Sequence, residues 1–596
     1  ILCIAFAFSS MVLGGCSDPG SPKTFSVSVT QSENGTVELS SDTVIAGGNI
    51  VISFTPENGY ILGELQLNGT AVDFEGNSYT LYNIVRDYEV KAVFVRTNVI
   101  ISFSGDGCSE LENISVVYGK QYGALPVPYA SGKRFIAWKT SEGELITESS
   151  IVRFSENGTL HAVFSEIDEE YKESLRPFSA TTVYHDAAAE KYGVVWHTEV
   201  QPVHPVIELR KDGALVSETE CEYESWLGEY VVSGVLEGLS FDTEYSVRFG
   251  DKSADVWSDS YTFTTREETV ETVDFFFVTD TKQTYRNENM EYESNGVGNI
   301  GTTYWQQVMR EAVARFGDAD FIAHGGNMVN YGIEPAYWAE MLGSVEEYLF
   351  RMPIMPVAGK RAGHTYYTTG QNVLDKLFNV EASDYNTSRG LFYSFDYGPL
   401  HFITLRSNDM YAEESSRFGI AKISDAQIDW LEQDLAEAKA DTGIKWIVAM
   451  ISDNPADPTI TKYQSVLCND LLPVFDEYGV DIVLSGGTNY LASTLPSVYK
   501  TGGFMPLNIT LGTEIYEGEN VAVFNYNGEE RGTIYHQNGP AGSQYSSQYG
   551  NESDLAAGYR KLIGGGKGGF VSDKAYSMYS YVCLSETELI LRTYGV

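Results

Sequence analysis

The hydrophobic pattern of this 596-residue chain changes period near Glu271, and that change limits what it can fold into. Before it, apolar and polar residues alternate in short runs broken by Gly, Asn and Pro, the pattern of strands with one buried face. After it, continuous apolar runs such as Asp274 to Thr279 alternate with stretches of helical spacing such as Trp305 to Phe316 and Ile423 to Ala438. Strands alternating with helices make a layered α/β domain. At ~100 to 200 residues per domain, the chain should hold about three to five.

Composition narrows the class further. A hydrophobic fraction of 43%, with 40 Tyr, 29 Phe and 57 Gly, fits β-rich globular domains joined by turns. The 82 Asp and Glu outweigh the 39 Lys and Arg, for a net charge of -43. An anionic surface of that size disfavours nucleic acid as a partner.

The first 15 residues, ILCIAFAFSSMVLGG, form an apolar run ending in small residues directly before Cys16. The run is too short for a comfortable membrane span and reads as the end of a secretion signal, whose basic start is expected upstream of Ile1. Leu13-Gly14-Gly15-Cys16 resembles a bacterial lipobox. That resemblance implies a lipid on Cys16, attachment to a membrane through it, and an extracytoplasmic place in the cell envelope. Residues 1–22 are thus signal end, lipobox and tether, the last supplied by Ser17-Asp18-Pro19-Gly20-Ser21-Pro22. Cys108, Cys221, Cys468 and Cys583 are scattered, with neither a disulfide framework nor metal-ligand spacing.

Residues 23–97 carry short alternating strands, the turn Pro56-Glu57-Asn58-Gly59-Tyr60 and a closing Lys91-Ala92-Val93-Phe94. They resemble the divergent internalin-type bacterial repeat. Residues 98–168 carry Val117-Tyr118-Gly119, Phe135-Ile136-Ala137-Trp138 and Leu160-His161-Ala162-Val163-Phe164, and resemble a related surface β-repeat. Both resemblances imply small spacer or adhesion modules, with His161 a strand residue. From 172 to 266, the central strand Val194 to Thr198 with its Trp196 and the turn-to-Tyr spacing from Leu236 to Tyr245 resemble a fibronectin-III-like β-sandwich of the kind that precedes purple acid phosphatase domains.

Residues 272–596 resemble calcineurin-like metallophosphoesterases of the purple acid phosphatase branch. The resemblance rests on the strand Asp274 to Thr279, the run His324 to Gly332, the strand pair Phe392 to Gly398 and His401 to Leu405, and the helix bearing Gln427, Trp430, Leu431 and Leu435. The strands Trp446 to Met450 and Asp481 to Ser485 complete it. It implies a four-layered α/β/β/α domain. A Gly/Ser/Tyr-rich flexible insertion is expected at about 538–570; its Gly564-Gly565-Gly566-Lys567-Gly568-Gly569 lacks the spacing of a phosphate loop.

The family's chemistry uses two divalent cations about 3.5 to 4 Å apart, held by Asp, Asn and His on loops after the core strands. Aligned on those motifs, this chain keeps Asp280 but has Lys282 where His or Gln belongs, and Asn327 where an Asp bridges the ions. Lys360 and Arg361 replace the Asn-His pair, Ser452 stands where a strand should end in His, and the last motif reads Gly486-Gly487-Thr488-Asn489, losing both imidazoles. An ammonium cannot ligate a metal at neutral pH, and a neutral amide bridges cations poorly. No cofactor is therefore expected, with Asp280, Asn327, Asp453 and Asn489 the residual metal candidates. His364 and Asp453 are alternative, shifted ligands, while His401 and His536 read as core or surface residues.

Lys282, Lys360 and Arg361 map to the loops around Asp280. Either they neutralise a buried carboxylate left without metals, or they bind the phosphate, sulfate or carboxylate of a ligand. The expected function is a non-catalytic binding or scaffold module at the cell surface, its contacts a surface protein, a glycan or a small anionic ligand. The alternatives are a divergent phosphoesterase with rearranged ligands and an adhesion protein acting through its β-repeats.

Overall fold

The computed structural model describes residues 22–281, 301–329, 332–359, 373–381, 392–407, 423–456, 464–486, 491–500, 503–507, 512–516, 519–523, 531–542, 559–560 and 577–596. The chain divides into two compact units, Ile1–Ile167 and Asp168–Val596. Cys16, Lys282, Lys360, Arg361, His364, Gly487 and Asn489 lie outside the described residues, as do 543–558 and 561–570 of the expected insertion.

Among its described residues the first unit forms only β-strands and their connections. Its leading module pairs a five-stranded sheet, containing Thr24–Thr30, Tyr60–Leu67 and Tyr88–Arg96, with a three-stranded sheet of Gly35–Leu39, Ile50–Pro56 and Ser78–Leu81. Alternation drives it: Phe25 and Val27, Ile50, Ile52 and Phe54, and Val90, Ala92 and Phe94 point inward at every second position. The following module is a five-stranded sheet packed around Trp138, whose ring lies 4.7 Å from that of Phe103. His161 sits within the strand Gly158–Glu166, its Nδ1 2.7 Å from Ser104 Oγ.

After the short helix Glu169–Ser174, the second unit forms a sandwich of a four-stranded sheet and a five-stranded one, whose fifth strand Tyr261–Thr264 pairs with Glu244–Asp251. Trp196 packs on Phe249 with ring centroids 4.9 Å apart. Tyr245 Oη accepts a hydrogen bond from the Ser240 backbone N–H at 3.1 Å, the corner its spacing predicts. Thr182 Oγ1 donates to the Leu349 carbonyl at 2.5 Å, and Asn379 Nδ2 to the Gly234 carbonyl at 3.0 Å. Tyr261 and Phe350 stack at 4.2 Å. Sandwich and α/β region thus share one hydrophobic core.

The α/β region holds β1 (Thr272–Val278), α1 (Gly301–Phe316), β2 (Phe321–His324), β3 (Ile354–Pro356), β4 (Tyr393–Tyr397), β5 (Leu400–Leu405), α2 (Asp425–Ala440) and β6 (Trp446–Asp453). After these come α3 (Gln464–Tyr478), β7 (Ile482–Gly486), β8 (Ile534–Gln537), β9 (Met578–Ser585) and β10 (Leu589–Gly595). One sheet runs β3-β2-β1-β9-β10, with β1 to β3 parallel. The other begins β4-β5-β6-β7-β8, with β5 to β8 parallel. Phe402, Val448, Met450 and Leu484 face the core shared with the first sheet, while Ile403, Ala449, Ile451 and Val483 pack with Leu431, Leu435, Leu471 and Phe475 of the helices. Parallel strands carry their C-terminal ends to one edge, where loops gather.

Two expectations need correcting. Apolar spacing from Trp338 to Leu349 predicts one helix, but the chain forms two, Pro335–Gly343 and Glu346–Arg351, because the backbone leaves the helical region at Val345, just beyond the helix-weakening Gly343. The start of the expected flexible insertion, residues 538 to 542, is packed. Asn538 N–H donates to the Ser485 carbonyl and Ala541 N–H to the Thr279 carbonyl, so this stretch crosses between the sheets.

Candidate functional site

The C-terminal edge of the two sheets is rich in buried polar side chains. Asp280, directly after β1, is fully buried, as are Thr279, Thr281 and His324; Asn327 and Asp453 are 3% and 5% exposed. Asp280 and Asn327 both adopt left-handed backbone conformations, with φ of 54° and 52°. Asn tolerates that region better than most residues, and outliers of this kind concentrate where a fold presents groups to a site.

Asp280 is held from two sides. Thr279 Oγ1 donates to its Oδ2 at 2.6 Å, and Asn327 Nδ2 donates to its Oδ1 at 3.0 Å. The backbone closes the same contact, because Asp280 N–H donates to the Gly326 carbonyl at 3.0 Å. Glycines make the approach feasible. A Cβ on Gly359 would lie 2.2 Å from the Asn327 nitrogen, and one on Gly486 1.9 Å from Thr279 Oγ1.

Ser452 sits at a register shift where β6 meets β7. A Cβ on Gly326 would lie 2.8 Å from its Oγ, placing that hydroxyl against the Asp280–Asn327 turn. The Ser452 Oγ has no hydrogen-bond partner among the described residues. Asp453 turns elsewhere and accepts from Ser407 Oγ at 2.7 Å. Of the residues singled out in the sequence, the structure therefore brings Asp280, Asn327 and Ser452 together.

Burial also sets the state of the histidines. His324 is driven down to about 4 by desolvation, only partly opposed by the charge of Asp280. Its ring is neutral: Nδ1 accepts from Gly326 N–H at 3.2 Å, so the proton sits on Nε2, 3.3 Å from Thr281 Oγ1. His536 is buried in β8 and desolvation pushes it down to about 3, the core position among the two left open for it. Gln537 and Asn538 follow it; each has one buried polar atom unpartnered among the described residues.

Thr279, Ser407, Gln537 and Asn538 did not stand out in the sequence. A signal was there: each is a polar residue at the end of an apolar strand run, where a core strand reaches its loop.

Comparison with known proteins fits this geometry. The family profile described as "Purple acid Phosphatase, N-terminal domain" matches residues 129–265, beginning inside the second β-module, upstream of the sandwich start read from sequence. Purple acid phosphatase from yellow lupin (Lupinus luteus) seeds superposes with a TM-score of 0.52 at 13% identity, covering 96% of this chain and 94% of the lupin chain. The chain has a purple acid phosphatase-like fold. Two uncharacterized Mycobacterium tuberculosis proteins, from strains CDC 1551 / Oshkosh and ATCC 25618 / H37Rv, are each 28% identical over 156 residues, which is 24% of this chain. The match spans 28% of each relative's length.

The intact fold family implies a dinuclear metal centre at this edge. The donors described there do not fit one: a carboxylate whose two oxygens accept from Thr279 and Asn327, an amide, and a hydroxyl. Among the described residues, no three His, Cys, Asp or Glu side chains gather in a way that would hold a metal ion.

Proposed function

We propose that this chain is a non-hydrolysing protein of the metallophosphoesterase fold, working as a binding and scaffold module at a bacterial cell surface and tethered by a lipid on Cys16. The observation that carries the reading is the direct hydrogen bond from Asn327 to Asp280. In the active family two carboxylates converge on ions; here an amide hydrogen occupies the inter-residue contact, and the negative charge is offset by protein donors. A neutral amide in place of the bridging carboxylate removes the group that could hold two cations together, and loss of supporting ligands alone costs roughly 10- to 100-fold in affinity or activity.

The ligand proposed for this edge is a phosphate, sulfate or carboxylate group, bound through Lys282, Lys360 and Arg361. The β-modules serve as spacers that present the domain away from the membrane. Thermal melting with millimolar inorganic phosphate tests the ligand: a rise in melting temperature that disappears in Arg361→Ala supports it, and an unchanged melting temperature refutes it. Hydrolysis of phosphomonoester and phosphodiester substrates by the metal-supplemented protein would instead establish the divergent-enzyme alternative.

A further inference from the structure

The leading β-module carries an apolar tip at the end where the chain enters it. Three segments meet there. Thr24 pairs with Ile45 in the sheet register, and Ala46 N–H donates to the Lys23 carbonyl at 2.8 Å. Gly47 N–H donates to the Ile84 carbonyl at 2.8 Å, and Ile84 N–H to the Gly48 carbonyl at 3.0 Å. Ile84 fills the core, but Ile45, which closes the strand Thr43–Ile45, and Tyr82 and Val85, which follow the strand Ser78–Leu81, are 54%, 70% and 59% exposed. Turns and loops ordinarily carry Gly, Asn, Asp or Ser, and large apolar side chains gathered on a surface mark a contact. The module's other exposed apolar residues, Val51, Ile61 and Val95, lie within strands instead.

Charge and chain connection both point to what covers the tip. In a chain of net charge -43, these segments are balanced: across residues 22–26, 42–49 and 82–87, Lys23 and Arg86 match Asp42 and Asp87. Asp87 is held by Ser26, accepting from its N–H at 2.7 Å and its Oγ at 3.0 Å. The Lys23 ammonium lies 4.9 Å from the Phe25 ring and the Arg86 guanidinium 5.0 Å from that of Tyr88. Such cations lay apolar stems on a surface and keep their heads in water, and tyrosine favours the membrane–water interface. Lys23 follows Cys16 by seven residues, a reach of at most about 25 Å. A lipid on Cys16 therefore keeps this end of the module beside the bilayer, at an effective concentration of about a millimolar, where even a weak contact is occupied.

We infer that this tip docks on the lipid bilayer, with Ile45, Tyr82 and Val85 entering the interface and Lys23 and Arg86 meeting the headgroups. The inference rests on the membrane tether proposed above, and its test supplies a tether that does not depend on Cys16. The chain from Ser17 to Val596, with an N-terminal hexahistidine tag, is held on phosphatidylcholine–phosphatidylglycerol vesicles containing nickel-chelating lipid, and its amide hydrogen exchange is compared with that of the free chain. Exchange in residues 43–48 and 82–86 should slow about threefold or more, as for a tip docked at least two-thirds of the time. The turn at residues 57–59, at the far end of the same strands, should not change. The triple variant Ile45→Ser, Tyr82→Ser, Val85→Ser, its fold checked by circular dichroism, should lose the slowing. Unchanged exchange at the tip, equal slowing in the triple variant, or equal slowing of the far turn overturns the inference. Slowing in the free chain as its concentration rises assigns the tip to a second copy and overturns it too. The lipid on Cys16 is read separately, from the mass of the N-terminal peptide of the cellular protein, so failure of the tether and failure of the docking are told apart.

Discussion

Asn327 Nδ2 lies 3.0 Å from Asp280 Oδ1, a hydrogen bond between two buried side chains on the loops that follow core strands, both with a left-handed backbone. It makes Asn327 a structural partner of Asp280. Asn327→Asp, which restores a carboxylate at the position the family uses to bridge ions, should therefore destabilise the protein. Two carboxylates at that distance repel by about 5 kcal/mol at an effective dielectric constant near 20, an upper figure because one of them can take a proton. The variant should lose most stability above pH 7 and recover toward pH 4 in thermal melts. A variant that melts like wild type at pH 8, and gains bound metal, would show that the edge is poised for ions.

Gly486 is the packing hinge of the same edge. Its missing Cβ leaves room for Thr279 Oγ1, which would otherwise lie 1.9 Å away and which donates to Asp280. Gly486→Ala should cost about 1 to 3 kcal/mol, the usual range for overpacking a core, read as a lower urea midpoint with unchanged slope. An unchanged midpoint would mean that Thr279 does not hold this position.

At the opposite end of the strands, Asp274 and Asp320 form a carboxyl pair. Asp320 accepts from the Asp274 backbone N–H at 2.9 Å and from Tyr397 Oη at 2.9 Å, while Asp274 accepts from Tyr581 Oη at 2.7 Å. Burial pushes Asp320 up to about 7, with the charge of Asp274 adding to it, and burial raises Asp274 as well. A raised carboxyl stabilises the fold below its unfolded value near 4, and that contribution is lost as pH rises through 7. Asp274→Asn leaves a neutral donor beside Asp320 and should flatten the fall in melting temperature between pH 5 and pH 8. An identical slope in wild type and variant would contradict the shared-proton account.

His401 behaves in the alkaline range. Desolvation alone would lower it, but the hydrogen bonds and charges of Asp396 and Asp434 prevail and raise it to about 9. Its contribution to stability is complete below about pH 6.5 and is lost as pH climbs through 9. Wild type should lose melting temperature between pH 8 and pH 10; His401→Gln should be less stable at pH 7 and show less of that alkaline decline.

Much of the α/β core was legible in the sequence because its strands are continuous apolar runs. Phe275 to Val278 and Val448 to Ile451 could only be buried strands, and the structure places them in adjoining sheets. Gln427 was placed on the right helix, but its task, accepting from the Arg406 N–H and donating to the Arg406 carbonyl, needs three-dimensional contact. The site itself was partly legible. Asp280, Asn327 and Ser452 stood out through the motif positions they occupy, whereas Thr279 joins them only because Gly486 lets separate strands approach closely. The split after Gly343 was missed because apolar spacing continues through Val345 although the backbone does not.

The most direct test of the central claim is elemental mass spectrometry for Fe, Zn, Mn, Ca, Mg and Ni on the purified chain from Ser17 to Val596, expressed with added metals and never exposed to a chelator. The account predicts no stoichiometric metal. A content close to the two ions per chain of a dinuclear centre would contradict it and return the Asp280 edge to catalysis.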